Sequence, residues 1–394
     1  MSLMARRIYF VSPTNVADHR RGGASICSLA YLQAVAACAP AGVTLLSPLR
    51  REEMPELPDR VDEVIAIPPR SSVTKAVHLL TARSMDRLSP FVDRFVEHRD
   101  LSQALFFMNS SRGGGITRWL RDRGVPSITL FHNVEERFVA ASVRNPVMRQ
   151  LMCRAAARSD RLSFECSAAS IFLSGVDARL MHARAVQAVH GASIVEDGYF
   201  APEELPGESG PLPAPTARDL VIACHLGVPQ NVPGIVRFVR ECWPRCLRTP
   251  ALAEARLVIA GASPAREIVE ATRGVERLDL VANPDDAAQR SILARAVACV
   301  STIESGSGIK VRVAESLRAG RPVVGTAHSF IGYERIDRCV LLETDFGGMP
   351  GVIADVIGDP RPDARCELAR REYEGKLSFA AGAARVARLI QRIR

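Results

Sequence analysis

Short apolar runs alternate with longer stretches whose apolar positions recur every three to four residues, and this alternation persists almost from end to end. In the first half the runs Ile8 to Val11, Val43 to Ser47, Val64 to Ile67, Ala104 to Met108, Ser127 to Phe131, Arg161 to Glu165 and Val186 to His190 are expected strands. In the second half the expected strands are Leu220 to Cys224, Arg256 to Ala260, Arg277 to Val281, Ala298 to Ser301, Pro322 to Gly325 and Cys339 to Leu342. The segment Ser25 to Cys38 places Ile26, Leu29, Leu32, Val35 and Ala36 in helical register. Strand and helix in turn define an α/β chain with parallel sheets.

The alternation breaks at Ala201 to Arg218, where five prolines, three acidic residues and two glycines form an expected interdomain linker. The boundaries that follow are 1–200 and 217–375, with a helical segment at the C-terminal end. A chain of 394 residues is comfortable for two such domains.

Composition narrows the function. No run of eighteen apolar residues is present to span a bilayer, and the apolar start at Ile8 is too short for a signal-peptide core, so a cytoplasmic protein is expected. The ten cysteines contain no C-x-x-C pair. Cys242 and Cys246 lack histidines at metal-binding spacing, so buried thiols and no metal are expected. A net charge of +8 favours acidic partners, but with 5% aromatic residues and no finger or RNA-recognition motif, nucleic acid is not among them. Arg144 to Arg161 carries Arg149, Arg154 and Arg158 around Val147, Leu151 and Met152; such a basic amphipathic helix suits an anionic membrane surface, giving an expected peripheral location at the inner membrane face.

The strongest chemical signal is Ser305-Gly306-Ser307-Gly308-Ile309-Lys310, followed by Arg312, Glu315 and the apolar run ending at Gly325. Small residues before a helix let backbone approach a ligand, and the first helical N–H groups favour a phosphate. Lys310 adds a full charge, and it is one of three lysines beside 48 arginines. Glu315 lies about a turn and a half along, within reach of a sugar hydroxyl. The same pattern also describes an ordinary αβ unit of an open sheet. Elsewhere, His132 follows an expected strand at once, in a loop with Asn133, Glu135 and Glu136. Gly22-Gly23 opens a helix after Arg20 and Arg21. Neither half carries G-x-G-x-x-G, which disfavours a nicotinamide or flavin cofactor.

The stretch from Gly306 resembles the signature of retaining nucleotide-sugar glycosyltransferases of family 4, the glycosyl transferases group 1, in which G-x-G-I-K leads through E to G-x-P-V-V. Gly306, Gly308, Ile309, Lys310, Glu315, Gly320, Pro322, Val323 and Val324 match it. Arg312 stands at a frequent lysine, and Ser307 replaces the first of the family's paired glutamates, with Glu304 nearby but out of register. The resemblance implies the GT-B architecture, two Rossmann-like domains facing across a cleft. It implies donor binding by the second domain, acceptor binding by the first, and a C-terminal helix, 376–394, packed back on the first domain. It implies that the His132 loop lines the sugar site, with His132, Lys310 and Glu135 catalytic. Gly22, Gly23, His225, Gly227, Asn231, Ser305, Gly306, Ser307, Gly308, Lys310, Arg312 and Glu315 would hold the donor. His225 and Asn231 stand near the family's basic diphosphate ligands, although Asn231 alternatively reads as a helix cap. The expected activity is transfer of a sugar from a nucleotide-diphosphate donor to a glycan, lipid-linked or small-molecule acceptor, without cofactor or metal and with retention. Inversion would need a base such as Asp18, His19, Glu135 or Glu136. A nucleotide-sugar 2-epimerase and a non-catalytic nucleotide-binding protein remain open.

Overall fold

The computed structural model describes residues 6–13, 16, 23–49, 57–67, 99–184, 194–203, 218–305 and 308–393. The chain divides into two compact units, 1–203 with 379–394, and 204–378.

The first unit is built on seven parallel strands: β1 (Arg7–Val11), β2 (Val43–Ser47), β3 (Val61–Ala66), β4 (Ala104–Met108), β5 (Ser127–Phe131), β6 (Ala169–Phe172) and β7 (Ile194–Asp197). Their order is β3-β2-β1-β4-β5-β6-β7. Strands β2, β4 and β5 are buried at every position, as continuous apolar runs covered on both faces require. The helices are α1 (Gly23–Ala37), α2 (Gly114–Arg121), α3 (Glu135–Ser142), α4 (Pro146–Cys166) and α5 (Gly175–Arg184).

The segment Arg161 to Glu165, expected as a strand, is instead the last part of α4. Ala155, Ala156, Ser159, Asp160, Ser163 and Phe164 are buried at helical spacing, and the three- to four-residue period overrides the local alternation. The next strand is Ala169–Phe172, which the expected set lacks. Val186 to His190 lies outside the described residues; the strand beyond it is Ile194–Asp197. Strand β3 begins at Val61, ahead of its expected start at Val64.

The second unit carries six parallel strands in the order β10-β9-β8-β11-β12-β13: β8 (Asp219–Ala223), β9 (Arg256–Gly261), β10 (Leu278–Ala282), β11 (Ala296–Ser301), β12 (Val323–Gly325) and β13 (Leu341–Glu343). Its helices are α6 (Val232–Arg237), α7 (Trp243–Arg248), α8 (Arg266–Thr272), α9 (Asp286–Arg295), α10 (Val311–Arg318), α11 (Met349–Ile357) and α12 (Pro362–Lys376). Trp243 is fully buried in the core beneath this sheet, and its indole N–H donates to the Glu276 carbonyl at 2.9 Å, so the one polar atom of the largest core side chain is satisfied. All ten cysteines are free thiols; burial pushes Cys242 up to about 11 and Cys246 up to about 12, keeping both protonated.

The last helix, α13 (Phe379–Arg392), belongs to the first unit and packs on α1. The Phe379 ring meets Phe200 at 6.3 Å, Arg385 donates to the Tyr199 carbonyl at 3.3 Å, and Arg6 donates to the Ile393 carbonyl at 3.0 Å. Gly382 permits this seat, because a Cβ there would stand 1.9 Å from the Phe200 ring. Overpacking costs about 1–3 kcal/mol, whereas alanine gains about 1 kcal/mol of helix propensity over glycine. The overpacking is rooted at the stiff end of the ring, so Gly382→Ala should lower stability by about 1–2 kcal/mol in urea unfolding, with the loss shrinking in a Phe200→Leu background. A neutral Gly382→Ala would show that the seat has slack.

Candidate functional site

In each sheet the strand order reverses once, and there the loops leaving two adjacent carboxyl ends diverge to opposite faces. Such switch points are where open α/β sheets hold ligands. In the second unit the reversal lies between β8 and β11; in the first it lies between β1 and β4.

At the β8/β11 point, Gly234 on α6 runs against the chain leaving β11 so closely that a Cβ would lie 1.8 Å from the Thr302 carbonyl oxygen. Thr326, beyond β12, donates its hydroxyl to the Ile303 carbonyl, and Ser329 donates to the Ser301 carbonyl at 3.0 Å. The path into the glycine-rich turn is therefore fixed from both sides. Gly308 has φ +75°, the left-handed region that glycine adopts without a Cβ penalty. Lys310 is buried at the N-cap of α10; its ammonium donates to the Gly308 carbonyl at 2.8 Å, and its own carbonyl accepts from Tyr333 Oη at 2.8 Å. Arg312 and Glu315 pair with each other one turn into the helix. Gly306 and Ser307 lie outside the described residues; Ser305 is exposed just ahead of them.

The loop after β8 begins at Cys224, whose thiol burial pushes up to about 12, with the Arg312 charge partly opposing. The Gly227 N–H donates to His225 Nδ1 at 3.2 Å, and Asn231 Nδ2 donates to the His225 carbonyl at 2.8 Å. Asn231 occupies the N-cap of α6 but makes no side-chain capping bond, so its amide braces the loop rather than the helix. Glu304 is half-exposed and ion-paired with Arg237 on α6 at 2.6 Å.

At the β1/β4 point the central residue is Asn109, directly after β4. Its Nδ2 donates to Ser12 Oγ at 3.0 Å, after β1, and to Ser28 Oγ at 2.8 Å, on α1. Ser28 spends its own proton on the Ala24 carbonyl at 2.7 Å, so it must accept from the amide, and the orientation of Asn109 follows. Asn109 Oδ1 then faces His132 Nε2 at 3.2 Å as an acceptor. His132 therefore carries its proton on Nε2 and presents a bare Nδ1, which is buried without a hydrogen-bond partner. Burial lowers the imidazole to about 4, a backbone hydrogen bond at Asn109 partly opposing and the Arg112 charge adding to the fall. The ring is neutral at ordinary pH.

The carboxylates behind His132 are engaged. Glu135 is buried and held by Arg112 at 2.8 Å, and Glu136 pairs with Arg184. Asp160, on α4, accepts from Ser111 Oγ at 2.6 Å and from the Glu136 N–H at 3.2 Å, tying α4 to the start of α3. Burial pushes Asp160 up to about 7; the Ser111 hydrogen bond pulls down, and the Glu135 charge again raises it. Gly23 opens α1 one and a half turns before Ser28, whereas Gly22, Asp18 and His19 lie outside the described residues. Ser12, Ser28, Asn109, Arg112 and Asp160 were not among the sequence candidates. Asn109 had a usable signal, a polar residue directly after an apolar run, the same rule that selects His132. Among the described residues no group of three His, Cys, Asp or Glu is placed to hold a metal ion.

Two parallel α/β units of this kind are the architecture of GT-B glycosyltransferases, and the chain has that fold. HepE of Anabaena, solved in complex with UDP and glucose, superposes with a TM-score of 0.63 at 12% identity, covering 98% of this chain and 99% of that one. WaaG, a glycosyltransferase involved in lipopolysaccharide biosynthesis, gives 0.64 at 13% identity over 98% and 100%. TarM gives 0.68 at 9% identity over 98% and 99%. No curated protein matches the chain by sequence. Residues 217–343, from the start of β8 to the end of β13, match the family model of the Glycosyl transferases group 1. The chain has the GT-B fold, and the family match lies within its second unit.

The Asn109 relay has a spectroscopic consequence. Long-range proton–nitrogen NMR should show His132 protonated at Nε2 and bare at Nδ1, and neutral down to about pH 5, with the signal assigned by its loss in His132→Ala. The folded pKa of about 4 lies below the ordinary 6.5, so the unfolded chain takes up the proton first and His132 costs stability as pH falls across that window. Asn109→Leu should let the tautomers mix. A protonated Nδ1, or a midpoint near 6.5, would contradict the relay.

Proposed function

We propose that the chain transfers a sugar from a nucleoside-diphosphate sugar, held by the second unit, to a hydroxyl of an acceptor held by the first, with retention at the anomeric carbon. The observation that carries the donor reading is the family match over 217–343, which encloses the loops after β8 and β11 and the buried Lys310 at the start of α10. HepE was solved with UDP, and so was a TarM mutant from S. aureus, which makes UDP the nucleotide to test first.

In the proposed step the bond between the anomeric carbon and the diphosphate oxygen breaks while the acceptor oxygen bonds to that carbon. The acceptor's proton passes to the departing phosphate on the same face. The developing negative charge on the diphosphate is met by Lys310, Arg312 and the first N–H groups of α10, and such preorganised charge is the largest catalytic contribution of this kind of site. Glu315 accepts from the ribose hydroxyls while Arg312 holds its carboxylate in place. His132, in the loop leaving β5, packs against the sugar and orients the ring.

Retention rests on the resemblance of the Gly306–Val324 stretch to the retaining family; of the bases that inversion would need, Glu135 is held by Arg112 and Glu136 by Arg184, and Asp18 and His19 lie outside the described residues. The acceptor is a glycan, a lipid-linked sugar or a small molecule.

Calorimetry with UDP separates the roles. Lys310→Ala should weaken UDP binding about ten- to hundredfold, the worth of a charge-assisted bond of about 1.5–3 kcal/mol. His132→Ala should leave UDP affinity nearly unchanged and depress turnover of the donor, with water as the acceptor where no other is known, because an interaction made mainly with the reacting sugar appears in kcat. Unaltered UDP affinity in folded Lys310→Ala would remove the second-unit cradle, and full turnover in His132→Ala would remove the sugar-orienting role.

A further inference from the structure

We infer that the tip of the α3–α4 hairpin is a docking surface for an anionic lipid bilayer. The exposed large apolar side chains among the described residues are Phe138, Val147 and Met148, at 39%, 67% and 43% exposure, and all three lie within two turns of the connection between α3 and α4. Single exposed apolar residues are ordinary; their confinement to one projecting tip is the feature that marks an interaction site.

The tip is built rather than frayed. Asn145 caps α4 by accepting from the Met148 N–H at 3.0 Å, and Pro146 sits in the first helical turn. Further down, the Cys153 thiol donates to the Glu136 carbonyl at 3.7 Å and the Glu136 N–H donates to Asp160, which closes the two helices on each other. Val139 and Glu135 face inward on α3, leaving Arg137 and Phe138 outside.

Charge names the partner. From Arg137 to Ser159 the chain holds five arginines (Arg137, Arg144, Arg149, Arg154 and Arg158) and no acidic residue, and none of the five makes an ion pair among the described residues. On α4 the positions Val147, Leu151, Arg154, Arg158 and Arg161 follow a three-to-four spacing along one outward stripe, apolar at the tip and basic behind it, with the three arginines exposed. An apolar end that enters the acyl boundary, followed by guanidinium groups at the depth of the headgroups, is the arrangement by which a helix settles on an anionic leaflet. A soluble polyanion would use the arginines but would leave Val147 and Met148 without a role. The surface stands independently of the donor reading, and it places a sugar-transferring unit where lipid-borne acceptors are found.

Flotation of the full chain with vesicles tests it. The protein should bind vesicles of phosphatidylcholine mixed with phosphatidylglycerol, not those of phosphatidylcholine alone, and rising salt should weaken the binding. Val147→Asp/Met148→Asp should reduce it at least tenfold, and Arg154→Gln/Arg158→Gln by about fivefold per arginine. These positions are exposed, so the fold should persist; should either variant melt early, hydrogen exchange of the unaltered chain decides, with protection on the mixed vesicles expected over 137–149. Equal binding to both vesicle types, no binding to either, or full retention by Val147→Asp/Met148→Asp would overturn the inference. Tight binding to heparin, lost only in the arginine variant, would likewise overturn it in favour of a soluble polyanion.

Discussion

The second unit depends on a main-chain approach that no side chain could share. Gly234 and the Thr302 carbonyl occupy the space where a Cβ would be, so α6 and the chain leaving β11 run together at the point where the strand order turns back. The loop after β8 is braced by Asn231, and Lys310 stands at the start of the helix that follows β11. A parallel sheet buries its strands on both faces and leaves polar chemistry only at their ends. Where two ends diverge, backbone N–H groups and short side chains have room for a ligand, and Lys310 and Arg312 lie at the start of the helix there.

The first unit solves a different problem at its own reversal. A solvated histidine would be half-charged close to neutrality, whereas His132 at the carboxyl end of β5 is neutral. Burial removes the charge, and the chain Ala24–Ser28–Asn109–His132 decides which nitrogen keeps the proton. Asp160 serves the same loop from behind: it joins the Ser111 turn to the Glu136 N–H at the start of α3, at the cost of holding a carboxyl far from its ordinary range. The relay needs no charged partner.

Much of this was legible in the amino-acid sequence, for physical reasons. Strands buried on both faces are continuous apolar runs, so β1, β2, β4, β5 and most of the second sheet stand out with their ends within a residue or two. The glycine-rich turn and Lys310 are legible because phosphate chemistry demands small residues and charge at adjacent positions. Arg161 to Glu165 misled because five residues are too few to separate a two-residue period from a helical one, and only the burial of Ser159, Ser163 and Phe164 together resolves it. Asn109 was missed because its role depends on Ser12, Ser28 and His132, three segments far apart in the chain that the sheet order alone brings together. The apolar tip at Val147 and Met148 was read as part of a basic helix; its exposure is a tertiary fact.

The central claim is that the β8 and β11 loops form one nucleotide site. Hydrogen exchange read by mass spectrometry, with and without saturating UDP, tests it most directly, because ligand binding to the native state raises local protection. The account predicts slowed exchange in two stretches, 225–234 and 305–315, with the exposed face of α12 unchanged. Protection confined to the first unit, or spread evenly over the chain, would contradict it.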